Sequence, residues 1–390
     1  MKQIYRVDKS GNLAQAISEI TAPKLLLLMS NNEQFEQHVE ELERHFPGVP
    51  SIGCIGGSYG GQTVVADNGV AVIAMEGNLS VVTNVLEQAS TMPVKYIGRL
   101  EEDINKVAAS ENNTICIDFC SGNDACVLTT IYSVLGKKHI SLVGGTGDGG
   151  KVSVNGKIYA DADAYALIRN NDGKIKVYKE NIYKQVPACR FIASKTDRSK
   201  YLIGELNGRP ARKVYQDILN IGDKEMATQT FKNPLGKMNG QDICIISIKE
   251  VVGDKLECYR QVNDSDVLTL LELQDISHVV ENTINQIKKD FKHISGVFSI
   301  NCVFRYLLFS QEHYFETYLK SMSVLGDHAG LIGYGEHYNQ QFVNQTMTCV
   351  VKRRIKYVWQ KIKNTERKCY IGTRRNFRYA PSHTRCRQYY

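Results

Sequence analysis

The chain predicts an α/β fold: repeated strand-helix-strand-strand units forming two mixed-sheet domains. Three observations carry that prediction. Apolar runs of strand length alternate with stretches of helical period. The second strand of each unit runs into a glycine-dense turn, where the backbone is free for φ > 0 and for close approach. The same order recurs three times along the chain.

The first copy opens with the apolar run Leu25–Met29. An amphipathic stretch follows at Glu33–His45, then Val49–Ile52, the turn GCIGGSYGG at Gly53–Gly61, and the closing run Gly69–Met75. The second copy is Thr114–Phe119, the helix-like Asp124–Leu135, and the apolar run Ile140–Val143. That run enters a turn with five glycines between Gly144 and Gly150. A polar ribbon, Lys151–Ile158, and the alternating segment Ala162–Ile168 complete it. The third copy is Gly296–Cys302, Gln311–Leu325, Gly330–Ile332 with the turn GYGEH, and Asn344–Val351. An ordinary α/β domain with three βαβ units and no duplication gives the same pattern.

The intervening stretches read as follows. Residues 1–22 form a short amphipathic lead. Leu79–Lys106 has helical spacing at Leu79, Val82, Val85 and Leu86, with Pro93 as a break. Asn170–Gly173 is a hairpin turn joining Ala164–Ile168 to Lys174–Tyr178. A new region starts with the strand Ala188–Ala193. In Tyr201–Leu219 a strand ends at Asn207–Gly208, and Pro210 starts a helix that buries Ala211, Val214, Tyr215, Ile218 and Leu219. Two strands, Asp242–Val252 and Lys255–Gln261, flank a Gly-Asp turn. A long helix, Ser277–Asp290, carries Val279, Val280, Ile284 and Ile287 on one side.

Length and composition bound the function. The 390 residues allow two domains with full cores, and 43% hydrophobic with 23% charged residues is globular usage. The N-terminus lacks the apolar region of a secretory signal, and no apolar run reaches bilayer length. A cytoplasmic location is expected. Eleven cysteines, an odd number with no CxxC, read as free thiols in a reducing compartment. No metal or cofactor is expected. The net charge of +7 is unevenly placed. Lys352–Tyr390 holds 13 Lys/Arg and one acid, so the tail carries 13 − 1 = +12 and the rest 7 − 12 = −5. Nucleic-acid binding by the body is therefore not expected.

The turn GGTGDGG fails both known phosphate patterns. Lys151 is followed by Val152 where a P-loop needs Ser or Thr, and the turn opens a strand where a dinucleotide site needs a helix. If the three copies pack together, their turns gather at strand ends, as α/β ligand sites do. Thr146 and Asp148, Cys54 and Ser58, and Glu336 and His337 then converge. Three separate surface turns are the alternative. Arg305, three residues past Cys302, sits at a strand mouth and offers a planar fork for carboxylate or phosphate. Glu312 and Glu316 lie one turn apart and are its candidate partners; a purely structural ion pair is the alternative. There is no GxSxG elbow, and His139, His278, His293, His313, His328 and His337 are scattered. A thiol nucleophile at Cys54 or Cys302, serving a hydrolase or transferase, is the enzymatic alternative.

The chain resembles the FIST family over about residues 20–351. The motifs are GCIGGSYGG, LVGGTGDGG with the ribbon VSVNGKIYADADAYALI, ELNGRPARKVYQDIL, INCVFR and LIGYGEHYNQQFVNQTMTCVV. The resemblance implies an N-terminal FIST domain at 20–220, a C-terminal one at 221–351, and a basic tail, 352–390, outside the folded body. It implies an intracellular sensory module that binds a small ligand, an amino acid or related carboxylate, without catalysis. Its output goes to a signalling protein such as a histidine kinase, chemoreceptor or cyclic-dinucleotide enzyme. It directs attention to Gly144, Gly145 and Asp148, to Cys302 and Arg305, and to Gly335 and Glu336. The candidate ligand-binding set is then Cys54, Gly144, Gly145, Thr146, Asp148, Cys302, Arg305 and Glu336. The tail departs from the family pattern. It reads as a basic arm for an acidic partner or nucleic acid, as the remnant of an output domain, or as an out-of-frame extension; the abrupt switch in composition favours the last two.

Overall fold

A computed structural model describes residues 1–353 other than 66, 67, 92 and 241. The threefold plan is present and is longer than the motifs showed. Each repeat adds a lead strand and a helix ahead of the predicted unit. The first runs Lys2–Asp8, helix Leu13–Ile17, Leu25–Ser30, helix Phe35–His45 and Ser51–Ile55. The hairpin Ser58–Gly60 with Thr63–Val65 follows, then Val70–Glu76. The second runs Leu79–Glu87, helix Ile97–Lys106, Thr114–Cys120, helix Asp124–Leu135 and Ser141–Thr146. Its hairpin is Asp148–Val154 with Lys157–Ala160, and Ala162–Asn170 closes it. The third runs Ile175–Glu180, helix Ile276–Asp290, Gly296–Cys302, helices Val303–Gln311 and Phe315–Ser323, and His328–Gly333. Glu336–Tyr338 with Gln341–Val343 is its hairpin, and Met347–Lys352 its closing strand.

Each repeat builds a mixed sheet around two parallel strands, and each hairpin leaves to complete a different sheet. The first hairpin pairs with the third repeat, Ser58 opposite Leu331. The second pairs with the first repeat, Val152 opposite Cys54. The third pairs with the second repeat, Glu336 opposite Gly145. The exchange is cyclic, so no repeat completes its own sheet. The inner faces of all three sheets share one apolar core containing Met29, Phe119, Ile300 and Val350. Helices cover the outer faces, with Phe35 and Val39 on the first sheet, Leu128 and Ile131 on the second, and Val280 and Leu308 on the third. Strands covered on both sides read as continuous apolar runs, as LLLLMS does.

Residues 181–275 are an insertion between the lead strand and first helix of the third repeat. It is antiparallel, with its own core around Phe191, Leu206, Tyr215, Leu256 and Leu268.

Several expectations are corrected. Leu79–Glu87 is a strand, and the helix begins only at Ile97. Val85 faces the inner core while Val82 and Leu86 face the helices, so burial on both faces imitated a helical period. Asn170–Gly173 does not make a hairpin. The strand before it pairs with Leu79–Glu87 and Thr114–Cys120, the strand after it with Met347–Lys352, and the turn carries the chain from one sheet to the next. The third repeat has two helices in place of Gln311–Leu325, the first starting directly at Val303. Asp242–Val252 breaks at Ser247 into strands of two different sheets. Ile218 is exposed. Lys352, counted with the basic tail, ends the closing strand and is buried; the tail beyond Arg353 lies outside the described residues.

Candidate functional site

The glycine turns meet. Ile55 stands opposite Asp148, and the Ile332 N–H donates to Gly57 O at 2.9 Å. The Tyr334 N–H donates to Thr146 O at 2.9 Å, and the Thr146 N–H donates to Gly335 O at 3.0 Å. Each turn therefore touches both others. Glycine is required where they press together. A Cβ at Gly145 would overlap Gly335 O, and one at Gly144 would overlap the carboxylate of Asp118.

That carboxylate belongs to the first of two buried polar clusters. Asp118 points outward from an otherwise apolar strand, toward the helix Asp124–Leu135. The third hairpin brings His337 over it, with Nδ1 2.5 Å from Asp118 Oδ2 and Nε2 2.8 Å from Asp124 Oδ1. Thr146 donates its hydroxyl to Asp124. Burial alone would depress the imidazole pKa, but the two carboxylates outweigh it and hold His337 well above its ordinary value. Both ring nitrogens then donate. Burial raises Asp124, yet its hydrogen bonds from His337 and Thr146 bring it below the usual carboxylate range. Asp163, from the closing strand, is pushed well up by burial and then by the Asp118 charge beside it. Asp163 shares a hydrogen bond with Asp118, and apart from it neither Asp163 oxygen nor Asp118 Oδ1 has a hydrogen-bond partner.

The second cluster surrounds Arg305. The side chain is fully buried, in the first turn of helix Val303–Gln311, and it pairs with Glu180 of the lead strand. Its guanidinium lies 4.5 Å from the Phe309 ring centroid and 5.5 Å from that of Tyr318. Arg305 Nε and Nη1, and Glu180 Oε2, have no partner. The expected pairing with Glu312 or Glu316 does not occur. Because the helix starts at Val303, both acids fall on its solvent side or beyond it; Glu312 pairs with Lys232 at 2.7 Å and Glu316 is exposed.

Glu336 sits at the turn junction. Its Oε2 accepts from the Thr346 N–H at 3.2 Å and the Thr346 hydroxyl at 2.9 Å, and burial pushes its carboxyl up to about 8. Cys302 lies beside it. Burial raises the thiols of Cys302 and Cys54, so both are neutral, contrary to what a thiolate nucleophile needs. Gly144, Gly145, Thr146, Cys302 and Glu336 are thus brought together. Cys54 faces the inner core, Ser58 donates to Gly330 O at 2.8 Å, and Arg305 lies on the outer face of its sheet. The backbone of Asp148 pairs with Ile55, but its side chain does not converge: it is exposed and accepts from the Gly149 N–H at 2.8 Å. Asp118, Asp163 and Glu180 escaped the sequence reading. The available signal was an acid inside an apolar strand, ICIDFC or ADADAY, since burying a charge demands a partner.

The FIST N domain model matches residues 24–209, and the FIST C domain model matches residues 211–339. The chain belongs to the FIST family. No curated protein matches it. FIST domains are sensory, signal-transduction domains. The boundary between the two FIST matches falls inside the insertion, so the third repeat is divided between them. Both polar clusters cross that division: Asp118 and Glu180 belong to the FIST N segment, His337 and Arg305 to the FIST C segment. Among the described residues no helix is long and apolar enough to cross a membrane, and no group of His, Cys, Asp and Glu is arranged to hold a metal ion.

Proposed function

We propose that this FIST protein binds a small ligand, an amino acid or related carboxylate, at the gathered glycine turns and the Arg305 region, and signals to a partner or output domain without turnover. One observation carries the reading. The charged pairs that join the FIST N and FIST C segments are fully buried and leave guanidinium nitrogens and carboxylate oxygens unpartnered. Unmatched buried polar groups cost free energy that a fitting ligand returns. A carboxylate suits the free edge of Arg305, and an ammonium suits Asp118, Asp163 or Glu336. A ligand that re-partners these groups changes the contact between the two segments, and a signalling protein reads the shifted equilibrium. A histidine kinase, chemoreceptor or cyclic-dinucleotide enzyme fits that output role.

A thermal-shift screen with free amino acids and small carboxylates tests the reading. A true ligand raises Tm in step with the logarithm of its concentration. Arg305→Lys keeps the charge but loses the fork, and it is expected to abolish the hit while circular dichroism reports a retained fold. A hit that survives Arg305→Lys places the ligand elsewhere; the absence of any hit counts against the reading itself.

A further inference from the structure

Arg305, Glu180, Cys302 and Gln345 are each 4% exposed or less. A ligand therefore reaches the Arg305 region only when something moves. Two sides of that region belong to the third repeat itself. The guanidinium rests on the rings of Phe309 and Tyr318, both in the repeat's core, and Glu180 ends its lead strand. The insertion closes a further side with the segment Thr230–Lys232, just past the short helix Met226–Gln229. Thr230 O accepts from Gln345 Nε2 at 3.0 Å, and the Gln345 N–H donates to the Cys302 sulfur. Phe231 stands edge-on to Phe304, the residue before Arg305, with 5.0 Å between ring centroids. Its carbonyl accepts from the hydroxyl of Tyr183, which interacts electrostatically with Cys302 and Arg305. Lys232 finishes the rim on Glu312 at 2.7 Å, both side chains about half exposed.

Two features make this wall a cover. First, the seam runs between two separate apolar cores. Met226 lies in the insertion's own core, while Phe231, five residues on, packs against the core of the third repeat. Parting the seam at Phe231 uncovers the edge of one core and the interior of neither. The seam also reaches the surface: Tyr259 of the insertion packs on the same Phe304 ring at 5.2 Å and is 46% exposed. Second, the segment is tied more firmly to the insertion than to the repeat it covers. On the insertion side the Ile248 N–H donates to Thr230 Oγ1 at 2.9 Å, the Tyr215 hydroxyl to Asn233 O at 2.7 Å, and Asn233 Nδ2 to Leu271 O at 2.9 Å. The repeat side has one side-chain hydrogen bond, ring edges and an exposed ion pair, each worth little alone. Such a seam parts at a fraction of the cost of unfolding the chain.

We propose that the insertion is a hinged cover that controls entry to the Arg305 site: Thr230–Lys232 lifts from Gln345, Phe304 and Glu312 to admit a carboxylate and reseats over it. A carboxylate held beneath the cover favours the seated state, so occupancy changes the standing of the insertion, which a signalling partner reads. The entry role rests on the reading of the Arg305 region as a ligand site; the motion of the cover does not.

The test labels the full chain with methyl methanethiosulfonate, at concentrations where the rate is proportional to reagent, and follows each cysteine by peptide mass spectrometry. Cys302 lies under the cover. Cys54 lies in the inner core and Cys349 in the core of the third repeat, so both wait for the whole fold to open. Cys302 is expected to label at least about tenfold faster than either. Phe231→Ala speeds Cys302 about tenfold, the worth of one aromatic edge pair, and Lys232→Glu, which sets a like charge against Glu312, about three- to fivefold. Ile131→Val, in the core of the second repeat's outer face, weakens the whole fold; it speeds Cys54 and Cys349 about fivefold and leaves Cys302 unchanged. A Cys302 that labels at the rate of Cys54 and Cys349, or answers to Ile131→Val as they do, overturns the cover, since the wall then opens only with the fold. A fast Cys302 indifferent to both Phe231→Ala and Lys232→Glu also overturns it, because entry takes another route. With the cover moving, a carboxylate that raises Tm is expected to slow Cys302 as well. One that raises Tm without slowing Cys302 binds elsewhere, which ends the entry role and the ligand at Arg305 while the motion stands.

Discussion

At the scale of single residues, two buried ionisable groups set opposite pH slopes. Lys352 is enclosed at the end of the closing strand, its Nζ 2.6 Å from Gln3 Oε1, and burial lowers its pKa from 10.5 to about 7. Between those values the unfolded chain binds more protons than the folded one, so this group makes stability rise with pH from about 7 to 10.5. Glu336 runs the other way. Its pKa rises from 4.5 to about 8, so the folded chain binds the extra proton, and stability falls as pH climbs through that range. Between about pH 7 and 8 the two slopes oppose each other, so each is read as the difference between wild type and its own variant. Lys352→Met is expected to remove the alkaline rise and to stabilise the chain at neutral pH by roughly 1–3 kcal/mol, since a buried charge gives way to a chain of similar volume. Glu336→Gln is expected to remove the acid-side fall; the amide oxygen still accepts from Thr346, and the gain above pH 8 is roughly 1–2 kcal/mol. Urea denaturation across the pH range reads both slopes, and parallel wild-type and variant curves would refute the assignment.

At the scale of elements, local pattern and distant pairing contribute differently. The helix Ile276–Asp290 is legible because Val280, Ile284 and Ile287 keep one face and Asp275 caps its start, accepting from the His278 N–H. The strand Leu79–Glu87 is not, because both its faces are covered and the alternation is lost. The hairpin at Asn155–Gly156 carries its turn signal, yet nothing local says that it leaves for the sheet of the first repeat. The candidate site was legible at its glycines and at Arg305, whose chemistry is local. Glu180 was invisible as a partner because the ion pair joins positions 125 residues apart. Gly144 tests the fit between elements. Gly144→Ala drives a Cβ into the Asp118 carboxylate and so against His337. The expected loss is about 2–4 kcal/mol, of the order seen when a buried charged network is broken. Gly150→Ala is the contrast: no atom lies near an added Cβ, and its cost is confined to the strain of its positive φ. Equal losses at the two sites would deny the Asp118 overlap.

At the scale of the whole molecule, the cyclic exchange of hairpins makes the two FIST segments one cooperative body. The FIST N segment alone lacks the hairpin Glu336–Val343, which completes the second sheet and supplies His337. The FIST C segment alone lacks the lead strand with Glu180 and the first hairpin that completes the third sheet. Each half would then expose a strand edge and leave either Asp118 or Arg305 as an uncompensated buried charge, and both are costly. The prediction concerns a chain cut within the insertion, at the boundary between the two matches near residue 210. Residues 1–210 and 211–390, expressed separately, are expected to lack a cooperative unfolding transition; co-expressed, they are expected to purify as one complex that unfolds as a unit. Independent cooperative folding of residues 1–210 would show that the exchanged hairpins decorate finished sheets. Failure of both halves to associate would show that the insertion must be continuous for the third repeat to close. Association with native-like stability would place the recognition energy in the exchanged strands and the two buried charge clusters, the same contacts through which a bound ligand would be felt by both segments.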